Sequence, residues 1–268
     1  MEEGAEPRFT PDQSRQALSP GDQDEIALSR LVYPHWIKEG GGAVADPRLQ
    51  QALKDFCRPL FAVSDRANLP WTVTLVNNPE VNASAGLAGM VIVNAGLLPF
   101  MDDPYAFAAV LAHEIGHVDC RHTARGTDMA LLAEEARKQG ATAMGDRALA
   151  QLMPELDGRI ADFMTLMKNA YSREDEAEAD AHAVELFERR GIDPRLAANG
   201  MRAIQRLEQV SGGGAGNEWV TDHPLTPDRI RHMERVAALR SRPAANYVLP
   251  GWDVLKAAIP TDPRIRKA

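Results

Sequence analysis

Residues 106–117 read AFAAVLAHEIGH, an apolar run that closes on His113-Glu114-Ile115-Gly116-His117, the pattern H-E-x-x-H. The run predicts a helix. Residues four apart share one face of a helix, so both imidazoles can reach a single metal ion. Glu114 lies close enough to act on a water bound to that ion. A Lewis acid and a general base on one helical turn are the arrangement of zinc peptidases.

Working outward, Asp102-Asp103-Pro104 opens this helix with acids and a proline where a first turn favours them. Before it, Trp71 to Val76 is short and β-branched, so it reads as a strand, and Val81 to Ala85 and Met90 to Asn94 read as two more around a Gly-containing turn. Earlier still, Asp46-Pro47 starts a helix with Leu49, Leu53, Phe56, Leu60 and Phe61 at helical spacing, and Ser19 caps another carrying Ile26, Leu28 and Leu31. Downstream of Gly126 the chain reads as helical throughout. The pieces are 130–138, 148–170, Arg173 to Arg190 ended by Gly191, Pro194 to Val210, and a last helix from Thr226-Pro227 to about Arg240. The expectation is an α+β, mostly helical domain with a small three-stranded sheet packed on the H-E-x-x-H helix. Its domain spans 20–240, preceded by a loose leader over 1–19 and followed by a proline-rich extended tail over 241–268.

Composition narrows the function. A chain of 268 residues with 44% hydrophobic and 25% charged residues suits one domain with a real core. A net charge of -8 argues against nucleic acid, whose binders need a basic stripe. No segment approaches the about 20 apolar residues that span a bilayer. Met1 to Pro20 holds no apolar signal core, which is also how a chain reads once a signal peptide has been removed. Cys57 and Cys120 fit no CxxC pattern and are compatible with either redox environment.

Two histidines need a third ligand, since catalytic zinc has three protein ligands and an open position. The run Tyr171-Ser172-Arg173-Glu174-Asp175-Glu176-Ala177-Glu178-Ala179-Asp180 offers several carboxylates. Glu174, Asp175 and Glu178 read as a solvated face. Glu176 and Asp180 are four apart, so one can bind the metal while the other accepts the spare N–H of a ligating histidine. Spacing alone does not choose Glu176 over Glu178.

The H-E-x-x-H run, followed by Ser172, Arg173, Glu176, Ala179 and Asp180 in register, resembles the M48 zinc metallopeptidases. The resemblance extends from about Asp22 to Arg240. It takes in Asn82 to Val93, where Leu87-Ala88-Gly89 departs from the family's Pro-Gly-Gly, and the late His223-Pro224 with Arg229. It implies a gluzincin-like fold and one Zn2+ held by His113, His117 and Glu176, with Asp180 behind the ligands. It also implies Glu114 as the base and His223 beside the zinc, stabilising the oxyanion or occupying the open position, with Arg229 near it. An extended or unfolded polypeptide would add as a strand beside residues 84–93, against Ser84, Ala85 and Gly86. The activity implied is a zinc endopeptidase acting through a zinc-bound water, of the soluble branch associated with periplasmic or membrane-linked envelope quality control; the cytoplasm stays open. The rival readings are a zinc-binding chaperone or assembly module, in which Glu114 is dispensable, and a latent protease closed by His223. His35, His182 and His232 read as packed or exposed. His122 lies five residues after His117, points elsewhere on a continuous helix, and is assigned no chemistry.

Overall fold

The structure is a computed structural model and describes residues 18–125, 171–211, 223 and 227–262. The helices expected over 130–138 and 148–170, the glycine-rich loop 212–216 and most of the 1–19 leader lie outside those residues. Helix α1 (Pro20–Glu39) starts on a capping box in which Ser19 and Asp22 satisfy each other's backbone N–H groups. Helix α2 (Pro47–Phe61) is capped by Asp46 and buries Leu49, Leu53, Phe56 and Leu60 along one stripe. Three strands follow: β1 (Thr72–Val76), β2 (Ala83–Ala85) and β3 (Met90–Asn94), in the order β1-β3-β2. The central strand β3 pairs parallel with β1 and antiparallel with β2, Ser84 opposite Ile92. All five residues of β3 are buried, as a strand covered on both faces requires. The second strand is shorter than its sequence suggests, with Asn82 contributing only its carbonyl, which accepts from the Asn94 N–H.

Helix α3 (Pro104–Asp119) carries the H-E-x-x-H pattern, and every residue from Ala106 to Val118 is buried. It runs through the middle of the molecule, against β2 and α2 on one side and α5 (Arg173–Arg190) and α6 (Asn199–Ser211) on the other. A single turn, α4 (His122–Arg125), separates from it at Arg121. Helix α5 is bounded as its sequence reads, by a Ser172–Asp175 capping box and by Gly191 in the left-handed region. After Pro194 the chain makes a tight 3-10 stretch over Pro194–Ala198 before α6, so the single helix expected from Pro194 is two pieces. Helix α7 (Pro227–Ala238) packs on α5.

The tail corrects the sequence reading. Its prolines suggested an extended strap, but Trp252–Ala258 forms a helix, α8, against α2. Trp252 meets Phe56 and Phe107 at ring-centroid distances of 6.0 Å each, and Leu255 is fully buried. The approach depends on Gly251 (φ +81), where a Cβ would fall 2.2 Å from the Ala52 carbonyl oxygen. Burial of this aromatic and aliphatic pair outweighs the local bias of the flanking prolines. No helix among the described residues is long and apolar enough to cross a membrane.

Candidate active site

The site forms where α3 and α5 cross. Gly116, the second variable position of the motif, makes the crossing close: a Cβ there would lie 3.0 Å from both Cα and O of Ala179. The two flanking turns of α5 then present Glu176 and Asp180 to the motif histidines. His113, Glu114, His117, Glu176, Asp180 and His223 are all buried.

Three bases and a carboxylate converge. His113 Nε2 lies 3.0 Å from His117 Nε2. Glu176 Oε2 is 3.5 Å from His113 Nε2, and its Oε1 is 3.5 Å from His117 Nε2. His223 Nδ1 is 2.8 Å from Glu176 Oε1 and 3.3 Å from His113 Nε2. The four ligand atoms all fall within 4.8 Å of one another. Tetrahedral zinc with bonds of about 2.0–2.1 Å separates its ligand atoms by roughly 3.3 Å. The observed spacings bracket that value, and the donor set of imidazoles and one carboxylate suits zinc, so these residues fit such an ion.

The surroundings orient the set. Asp180 Oδ1 is 3.0 Å from His113 Nδ1, which keeps a proton on Nδ1 and leaves Nε2 as the atom facing the cluster. Arg229 holds Asp180 through two 2.8 Å hydrogen bonds and reaches Glu176 Oε2 at 2.6 Å. Tyr171 stacks on His117 at 3.8 Å between centroids. Glu114 Oε2 accepts a 3.0 Å hydrogen bond from the Ala85 N–H, which ties the base to β2. Its Oε1 is buried, has no hydrogen-bond partner among the described residues, and lies 3.5 Å from His223 Nε2.

Burial and neighbouring charges set the protonation tendencies. Burial pushes the Glu114 carboxyl up. Burial, then the neighbouring His113 and His223, holds His117 well below the ordinary histidine value. Burial would lower His113 as well, but Asp180 and Glu176 outweigh it and carry that imidazole up to about 9. The same contacts hold the Glu176 carboxyl down against burial, and Arg229 with His113 does so for Asp180.

The structure brings together His113, Glu114, His117, Glu176, Asp180, His223 and Arg229. Glu178 lies outside this group: it is exposed, and its carboxylate meets His122 rather than the two motif histidines. Around the expected substrate strand the placement differs. Gly86 N–H bonds Met90 O and Asn94 N–H bonds Asn82 O, so by alternation Ser84 also faces β3. The outward backbone groups of edge strand β2 belong to Ala83 and Ala85. Sequence reasoning missed three residues: Gly116, Tyr171 and His122. Glycine inside a buried helical run was a readable signal for the first. His182 is buried, with Nε2 2.7 Å from Asp119 Oδ2, and no disulfide joins Cys57 and Cys120.

Comparison with known proteins shows the family of the chain. The model of peptidase family M48 matches residues 46–237, a span that contains every site residue named above. The Beta-barrel assembly-enhancing protease of Escherichia coli K12 is 27% identical over 74% of this chain and 41% of its own length. Metalloprotease LoiP of the same organism is 31% identical over 59% of this chain and 60% of its own. The mitochondrial metalloendopeptidase OMA1 of Bos taurus is 28% identical over 82% and 44% respectively. The chain thus spans only part of the length of each of these relatives. With the family model covering most of its length, the chain belongs to peptidase family M48.

Proposed function

We propose that this chain is a zinc metalloendopeptidase of gluzincin-like fold. The observation that carries the reading is the meeting of His113, His117 and Glu176 beside a buried Glu114 anchored to an edge strand. A zinc ion held by His113, His117 and Glu176 would supply a Lewis acid for the scissile carbonyl and for the attacking water. Glu114 takes the proton of the attacking water on Oε1, its oxygen without a hydrogen bond, and passes it to the leaving amine. The Ala85 N–H holds the other carboxylate oxygen and sets its direction. An extended polypeptide docks antiparallel on β2 through the outward groups of Ala83 and the carbonyl of Ala85. Envelope protein quality control as the setting rests on the names of the bacterial relatives and on the family resemblance. Chelator treatment followed by zinc tests the reading: cleavage of an unfolded protein such as casein should stop and then return. Cleavage that persists in excess chelator would sink it.

A second reading concerns the resting state. His223 Nδ1 stands inside the ligand set, while Arg229 is committed to Asp180 and Glu176. That favours His223 as a fourth ligand closing a latent enzyme over an oxyanion role. A closed form with its open partner populated at about 10% predicts that His223→Ala keeps zinc and cleaves about tenfold faster. A drop in kcat with zinc retained would restore the oxyanion role.

A further inference from the structure

The histidine that sequence reasoning set aside stands directly behind a proposed ligand. A continuous helix would carry His122 away from His117. Helix α3 instead ends at Asp119, and Arg121 takes φ +58, a left-handed conformation unusual for a residue with a side chain. The turn is tied down from α1: Arg121 bonds Asp22 Oδ1 at 2.6 Å and also contacts Glu25, and Arg66 bonds the same two carboxylates at 2.6 and 2.9 Å. The result returns the buried His122 ring to His117, Nδ1 to Nδ1 at 2.8 Å. Its other nitrogen, Nε2, lies 3.0 Å from Glu178 Oε2 and 3.4 Å from Asp175 Oδ1.

With His122 neutral, these contacts allow one self-consistent arrangement of protons. Ionised carboxylates only accept, so His122 Nε2 carries the proton. A neutral imidazole has one donor and one acceptor, so His122 Nδ1 accepts and His117 Nδ1 must donate. The lone pair of His117 is then on Nε2, the atom facing His113 Nε2 and Glu176 Oε1. We propose that His122, oriented by Glu178 and by the Arg121 turn, is a positioning residue that fixes the tautomer and ring direction of His117 for metal binding. The inference rests on the zinc-site reading above. Asp180 does the same for His113, so the two histidines have unlike supports: a buried carboxylate for one and an imidazole backed by an exposed carboxylate for the other. Cys120, His122 and Glu178 also lie close enough to share an ion. With both His122 nitrogens already engaged, the hydrogen-bond chain is the reading that uses every contact.

The test compares zinc affinity, by chelator competition on the metal-stripped full chain, for wild type, His122→Leu and His122→Asn. Leucine fills the space without an acceptor, whereas the asparagine Oδ1 can accept from His117 as Nδ1 does. Expected are a loss of about 10–100-fold for His122→Leu and near wild-type affinity for His122→Asn. Leucine equal to wild type, or asparagine as weak as leucine, would overturn the inference. Long-range nitrogen-15 NMR of the wild-type histidine rings adds a check that needs no variant. His122 protonated on Nε2 and His117 on Nδ1 supports the proposal, and the reverse tautomers refute it. Failure of wild type itself to bind zinc would count against the zinc-site reading instead, and two tight zinc ions per chain would replace the hydrogen-bond chain with a second metal site.

Discussion

Glu114→Gln should keep its zinc and lose about 10²–10⁴-fold in turnover. The amide preserves the shape and can still accept from the Ala85 N–H, so β2 keeps its tie to α3. What disappears is the proton acceptor at Oε1, which is buried and has no other hydrogen bond among the described residues. Burial also raises the pKa of this carboxyl, which moves it toward the range where a base can both take and return a proton. Kinetics and metal content must be measured on the same preparation. A variant that retains zinc and cleaves as fast as wild type would favour the binding or assembly module, in which Glu114 has no chemical task.

The second large effect is structural. Asp180→Ala removes a fully buried carboxylate that accepts two hydrogen bonds from Arg229 and faces His113 Nδ1 at 3.0 Å. Arg229 keeps Glu176 and the His223 carbonyl among its partners. Breaking one side of a buried pair typically costs about 3–5 kcal/mol. Losing the partner of a ligating histidine weakens metal binding by about 10–100-fold. Urea unfolding of the metal-free protein should show the first effect and chelator competition the second. Stability and zinc affinity both equal to wild type would return Asp180 to the acidic outer face of α5.

The parts of this site that follow from helical period were legible in the sequence. His113 and His117 share a face by spacing alone, and Glu176 and Asp180 share another. Choosing Glu176 over Glu178 was not possible from spacing, because which face of α5 meets α3 is decided by the Gly116–Ala179 contact, and a contact between distant segments leaves no local pattern. His122 was misread for a related reason. A continuous helix would point it away from His117, but the helix breaks at an arginine held in a left-handed turn by acids on α1. The tail was misread because Pro243, Pro250, Pro260 and Pro263 dominate its local signal, whereas the slot that receives Trp252 and Leu255 is built by α2 and α3. Strands β1 and β3 and the bounds of α5 were legible, since β-branched runs, a capping box and a terminal glycine are local features.

The central claim is that His113, His117 and Glu176 together hold the metal. Elemental analysis of purified wild type beside Glu176→Ala and Glu178→Ala tests it most directly. About one zinc per chain is expected in wild type, with its loss in Glu176→Ala and a full equivalent in Glu178→Ala. Full zinc in Glu176→Ala with loss in Glu178→Ala would contradict it.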